Sequence, residues 1–194
     1  MNCSKLSKFD LVSAGHLISG EDRDRAFQAA IVLGHIKSSF IEAVAAFALF
    51  QPVTEDNFRK WYEQRQSPYE RCLNSIYAKA FVLSLDAIEK LLSRLCQYLS
   101  PPPGVTSFHN EYQSHFGHLK HIRDSAIHIE DRGRGLTRKQ STLKSRVIEL
   151  GNFHVNRITF TGEDGKTYTV EISEVTLNQA HRILQGVINA YEWK

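Results

Sequence analysis

Between Arg25 and Phe50 apolar side chains recur at steps of three and four residues, at Phe27, Ile31, Ile41, Val44, Ala45 and Ala48. Val32, Ile36, Phe40 and Phe47 widen that stripe beyond a single face. A helix that is apolar over so much of its circumference has to pack on more than one neighbour. Pro52 then supplies a stop. The stretch from Ala29 to Phe50 is also the most apolar of the chain, yet it carries His35, Lys37 and Glu42. A membrane-spanning helix would have to bury those groups, so the segment reads as a core helix and no membrane association is expected. Residues 1 to about 24 read as an arm or a short leading helix, without the continuous apolar run of a signal peptide.

Further helices follow. Thr54 to Gln66 is polar around Phe58, Trp61 and Tyr62 and reads as a short helix. Ser67-Pro68-Tyr69-Glu70 is a start signal: Ser67 can cap, Pro68 suits the first helical position, and Glu70 completes a capping box. The long helix after it has a seam of Tyr69, Leu73, Ile76, Ala80, Leu83, Ala87, Leu91 and Leu95, and it ends before Ser100-Pro101-Pro102-Pro103-Gly104. Phe108 to about Ile129 reads as one more helix, with Tyr112, Phe116, Leu119, Ile122, Ala126 and Ile129 on one face.

After Asp131 the pattern changes. Residues 133–146 read as a basic loop with no apolar periodicity, and residues 147–173 as a small sheet. Ile148-Glu149-Leu150 and Phe153-His154-Val155 flank Gly151-Asn152, which predicts a tight hairpin turn there. A parity change between Val155 and Ile158 predicts a bulge. Ile158 to Thr161 and Tyr168 to Ile172 flank Gly162-Glu163-Asp164-Gly165 as a second hairpin. Glu174 to Trp193 closes the chain as an amphipathic helix through Val175, Ala180, Ile183, Leu184, Val187, Ile188 and Tyr191. The expectation is a mainly α single domain over residues 1–194. It consists of an up-down bundle of four to five helices (core 25–132), with a small antiparallel β-meander before the closing helix, 174–194.

Composition adds little beyond this. A chain of 194 residues, 42% hydrophobic and 23% charged, is long enough for one well-buried core and is not disordered throughout. Its net charge of +3 permits nucleic-acid binding without arguing for it. Cys3, Cys72 and Cys96 are far apart with no Cys-x-x-Cys pair, which reads as reduced thiols in a reducing, cytoplasmic setting.

One segment carries chemistry. In Arg123-Asp124-Ser125-Ala126-Ile127-His128 a guanidinium, a carboxylate and an imidazole are set into a helix that must also supply core residues. The pattern resembles the HEPN family of helical-bundle proteins, whose signature is an Arg, usually followed by a polar residue, and then a His after a spacer of four to six residues. Arg123, Asp124 and His128 match it with a four-residue spacer. At the level of the fold the resemblance covers roughly residues 25–132. It implies a metal-independent ribonuclease that needs no cofactor and acts as a homodimer, with two copies of the motif facing one cleft. It also implies the role of a toxin or defence effector held by an inhibitory partner protein. Carried over, His128 would be general acid or base on the ribose 2′-hydroxyl or the leaving oxygen. Arg123 would stabilise charge developing on the phosphate, and Asp124 would orient His128 or Arg123. The alternative is a non-catalytic HEPN-like dimer that binds a protein or a small molecule through the sheet and the Phe58-Trp61-Tyr62 segment. A third reading makes Arg123 and His128 polar residues of a dimer interface.

A regular helix raises a difficulty. Five residues turn through about 140° net, so Arg123 and His128 cannot share a face unless the helix ends or distorts before His128, or the two meet across a dimer. The basic residues that follow, Arg132, Arg134, Arg138, Lys139, Lys144 and Arg146, suit the phosphates of single-stranded RNA, or equally a solvated loop. The run has no aromatic residue for stacking on bases. His115, His118 and His121 fall on one slowly drifting helical line, but no His-Glu-x-x-His or Glu-x-x-His accompanies them, so no metal site is expected. Gly162-Glu163-Asp164-Gly165-Lys166-Thr167 mimics part of a P-loop. The spacing would require glycine where Phe160 stands, and no helix is expected after Thr167, so it reads as a hairpin turn.

Overall fold

The computed structural model describes residues 23–52, 68–137, 139, 141–142 and 148–191. The chain is mainly helical, with six helices among the described residues and a three-stranded antiparallel sheet before the last of them. The order is α1 (Arg23–Leu49), α2 (Pro68–Tyr98), α3 (Pro103–Phe116), α4 (Leu119–Ile127), α5 (Ile129–Gly133), β1 (Leu150–His154), β2 (Arg157–Thr161), β3 (Thr167–Glu171) and α6 (Glu174–Asn189). The N-terminal arm, the short helix expected over 54–66 with Phe58, Trp61 and Tyr62, and the cap at Ser67 lie outside the described residues.

The chain divides into two compact units. The first comprises residues 1–45, 84–117 and 174–194. Its core is built from Leu33, Ile36 and Phe40 of α1, Leu85, Ile88, Leu92 and Leu95 of α2, Tyr112 and Phe116 of α3, and Ile183, Leu184 and Val187 of α6. Full burial of each such side chain stabilises by roughly 1.5–3 kcal/mol. The fully buried Tyr112 hydroxyl donates to the Leu85 carbonyl at 2.9 Å, so the bulkiest core residue leaves no polar atom unpaired. Helices α3 and α6 approach closely because Gly186 has no side chain; a Cβ there would stand 2.4 Å from the Phe108 ring.

Both long helices bury only part of the stripes read from their periodicity, Val32, Ile36, Phe40 and Val44 in α1 and Leu95 in α2. In α1 Phe27, Ile31 and Ile41 are exposed, while Val32, Leu33, Ile36 and Phe40 are buried. In α2 Tyr69, Ile76 and Leu83 are exposed, and the buried row is Ala78, Phe81, Val82, Leu85, Ile88, Leu92 and Leu95. Both helices carry apolar residues on two rows at helical spacing, so period alone could not choose between them. By length and composition, Asp24–Leu49 is long and apolar enough to cross a membrane.

The second unit comprises residues 46–83 and 118–173. Its sheet is a meander of order β1-β2-β3. Helix α4 packs on it through Leu119, Ile122 and Ser125, which are buried along with Ile158, Phe160, Val170 and Ile172 of the sheet region. Ser125 Oγ donates to the Thr161 carbonyl at 2.6 Å and ties α4 to the end of β2.

Two expectations about the first hairpin exchange places. Gly151 and Asn152 lie inside β1, where the register with β2 shifts between Leu150 and Asn152. Gly151 has φ +90, and the Phe160 ring stands 2.9 Å from where its Cβ would be. Glycine is therefore required here for a bulge, not a turn. The turn is at Val155 and Asn156, between β1 and β2, with Val155 at φ 56. The second hairpin stands as read: Gly162 to Lys166 close it, with Gly162 N–H donating to the Lys166 carbonyl at 2.8 Å.

Candidate functional site

The single helix expected from Phe108 to Ile129 is three helices. It begins earlier, at Pro103, where proline fits the first turn. It breaks at Gly117-His118, and again at His128. His128 has φ −104 and ψ 42, off the helical track, and its N–H closes the last turn of α4 on the Asp124 carbonyl at 3.1 Å. The distortion that a regular helix would have needed therefore falls at the motif histidine itself.

Burial of Leu119, Ile122 and Ser125 turns Arg123 and Asp124 toward the half-exposed side of α4. Arg123 folds back on its neighbour: Nε lies 2.9 Å and Nη2 2.7 Å from the same oxygen, Oδ1 of Asp124. The Arg123 side chain is 19% exposed and that of Asp124 37%. A pair this open contributes about 0–1 kcal/mol to stability, so its main effect is to fix the direction of the guanidinium.

The carboxylates gathered near His128 are those of Glu130 and Asp131. The ring nitrogen and one oxygen of each acid all lie within 4.8 Å of one another. Asp131 is buried, and Arg134 Nη2 holds its Oδ1 at 2.9 Å. Arg134 also donates through Nε to the Glu130 carbonyl at 3.3 Å. His128, Glu130 and Asp131 are the one group among the described residues with spacing that a metal ion could use. Arg134 already sets a positive charge on Asp131, which works against a second cation there.

Of the residues expected to grip phosphate, Arg134 is engaged with Asp131, and Lys139 is exposed. Arg132 belongs to α5, but its side chain, like the whole of Arg138, lies outside the described residues, as do Lys144 and Arg146. The loop is not featureless: Leu136 bridges Thr142, and Thr137 N–H donates to the Ser141 carbonyl at 2.7 Å.

His115 and His121 fall in different units and have different partners. His115, in the first unit, meets Gln179 Nε2 at 2.6 Å. His121, in the second, stacks on Tyr168 with ring centroids 4.4 Å apart and planes 10° from parallel.

Sequence reasoning missed a polar groove of about 340 Å³ that borders the motif, lined by Lys120, His121, Asp124, Glu163 and Asp164. Tyr168 O–H donates to Asp164 Oδ2 at 2.7 Å, and this bond, with burial and the carboxylate charge, raises the phenol to about 12. Burial works against the charge on Asp164. The Tyr168 hydroxyl, the Lys166 N–H and the charges of His121 and Lys166 outweigh it and hold this carboxyl below its usual range. The turn chemistry of 162–165 was legible, but its return to α4 depends on the sheet packing and has no local signal.

No family model, curated protein or solved structure matches the chain.

Proposed function

We propose that the chain is a HEPN-like, metal-independent endoribonuclease that cleaves RNA at Arg123, Asp124 and His128. The proposal includes the up-down bundle topology of that family and a homodimeric working form. The observation that carries it is the break of α4 at His128, which takes the imidazole off the helical track at the one position where the motif needs it. A half-buried imidazole beside two carboxylates is a group that can take or give a proton.

In this reading His128 takes the proton of the ribose 2′-hydroxyl or gives one to the departing 5′-oxygen, and water carries the other proton. The 2′-oxygen attacks phosphorus, the bond from phosphorus to the 5′-oxygen breaks, and the products are a 2′,3′-cyclic phosphate and a 5′-hydroxyl. Arg123, aimed by Asp124, offers N–H donors to the phosphate oxygens as charge builds. Sequence supplies Asp124 as an orienting group, and the geometry pairs it with Arg123. Asp131, within 4.8 Å of the His128 ring nitrogen, would orient His128. Arg132, Arg134, Arg138 and Lys139 would hold neighbouring phosphates, Arg134 by exchanging Asp131 for the RNA backbone. A toxin or defence effector controlled by an inhibitory partner protein is the setting such an activity suits.

One observation favours the non-catalytic reading: Arg123 and Arg134 are each already engaged by an acid, Asp124 and Asp131. A binding module would use the polar groove beside Asp124 for a small molecule or a peptide. Purified wild type, Arg123→Ala and His128→Ala, compared on the same RNAs with their circular dichroism matched, separate the two. Cleavage by wild type alone supports the nuclease. Equal cleavage by all three contradicts it.

A further inference from the structure

The polar groove beside the motif has two walls, built from separate stretches of the same unit. Lys120, His121 and Asp124 are spaced i, i+1 and i+4 along α4 and share one side of it. Glu163 and Asp164 come from the turn between β2 and β3. The stack of His121 on Tyr168, with ring centroids 4.4 Å apart, ties the walls together. Asp164 is held twice: Oδ2 accepts from the Tyr168 hydroxyl at 2.7 Å, and Oδ1 from the Lys166 N–H at 3.1 Å. A groove fixed in this way has its shape before a ligand arrives, which lowers the cost of binding. Its volume of about 340 Å³ is at the small end for ligand sites and suits one planar heterocycle.

Asp124 belongs to the groove and to the motif at once. Its Oδ1 fixes the guanidinium of Arg123, so a ligand in the groove lies one side chain away from the group that is to meet phosphate. We propose that the groove is a base subsite, and that it takes the guanine of the nucleotide beside the phosphate to be cleaved. The kind of ligand, RNA, rests on the ribonuclease reading; the groove adds which base is chosen. A carboxylate only accepts hydrogen bonds, and guanine is the one RNA base with two adjacent donors, N1–H and N2–H2, on a single edge. Glu163 takes that edge. Lys120, on the other wall, donates to O6 or N7, the acceptors of the opposite edge. Uracil would turn carbonyl oxygens toward the carboxylates, and adenine and cytosine each bring only one amino group. The base lies along His121, whose ring Tyr168 already backs, so it extends an existing stack. The groove thereby supplies the aromatic surface that the basic loop lacks. A metal ion fits less well. Among the described residues the spacing that an ion could use occurs at His128, Glu130 and Asp131, not among the acids of the groove.

The test uses the full chain and has two arms. In the first, nucleoside 3′-monophosphates are titrated calorimetrically into the protein. Wild type should bind the guanosine form at least about tenfold more tightly than the adenosine, cytidine and uridine forms. The inosine form, which lacks the N2 amino group, should lose that advantage on wild type itself. Glu163→Gln, with its fold checked by circular dichroism, should lose it too. Similar affinities for all, no binding, inosine bound as tightly as guanosine, or a preference unchanged by Glu163→Gln would each overturn the proposal. In the second arm, the cut sites in an RNA of randomised sequence are mapped, and guanine should stand on one side of the cut. Cleavage with no base preference would overturn the subsite and leave the nuclease standing. Guanine-selective binding without cleavage of any RNA would overturn the nuclease and leave the subsite standing.

Discussion

The main-chain N–H of His128 donates to the carbonyl of Asp124 at 3.1 Å, and with that bond α4 ends. The motif is thus split between a helix that holds Arg123 and Asp124 and a corner that holds His128, with Glu130 and Asp131 just beyond it.

Arg123→Lys should lower RNA cleavage by about 100-fold or more, since a lysine cannot give two N–H donors to one acid while facing phosphate. Stability in urea should change by less than about 1 kcal/mol, because the pair is partly exposed. A loss of stability well above that, with cleavage intact, would make the pair structural.

Asp131→Asn should destabilise the fold by about 1 kcal/mol or less, because its partner Arg134 is largely exposed and can be solvated instead. If Asp131 also orients His128, the pH–rate profile for cleavage should move relative to wild type. An unmoved profile would leave Asp131 with only its bond to Arg134.

Ser125→Ala should cost about 1 kcal/mol in urea unfolding, since it removes a buried donor from the Thr161 carbonyl. Gly151→Ala should cost more than about 1 kcal/mol, because a side chain there faces both a φ of +90 and the Phe160 ring. Unfolding midpoints within error of wild type would contradict the packing of α4 on β2 for the first and the β1 bulge for the second.

The Tyr168–Asp164 bond has a pH signature. The phenol is raised from 10.0 to about 12. Its contribution to stability is therefore complete below pH 10 and is lost as pH rises toward 12. The Asp164 carboxyl is held below 3.8, so its contribution is present above that value and is lost as pH falls through the lowered one. Both groups are near solvent, so the effect is small and best read spectroscopically. Ultraviolet titration of wild type should show one tyrosine ionising near 12, and Asp164→Asn should bring it back toward 10.0. Identical titrations of the two proteins would remove the bond from the account.

Much of this was legible along the chain. Pro68 and Gly162–Gly165 each carry a local conformational preference, and the elements they bound fall where those preferences put them, whereas the helix expected from Phe108 already starts at Pro103. Where two choices had similar local chemistry, the sequence could not decide. Ile76 and Leu83 repeat with the same period as Phe81, Leu85 and Ile88, and only tertiary packing selects the buried face. Gly151-Asn152 has the composition of a turn, and becomes a bulge because Phe160, on another strand, occupies the space over the glycine. At the site, the spacing of Arg123 and His128 left two choices, a break before His128 or a meeting across a dimer, and the helix does break there. The pairing of Arg123 with Asp124, the carboxylates beside His128 and the return of Asp164 to His121 and Asp124 depend on side-chain directions set by tertiary packing.

The most direct test is to incubate end-labelled structured and single-stranded RNAs with purified wild type and His128→Ala in the presence of EDTA, and to identify the new termini. The account predicts cleavage by wild type alone, leaving 2′,3′-cyclic phosphate and 5′-hydroxyl ends. Cleavage that survives His128→Ala, or that EDTA abolishes, would contradict it.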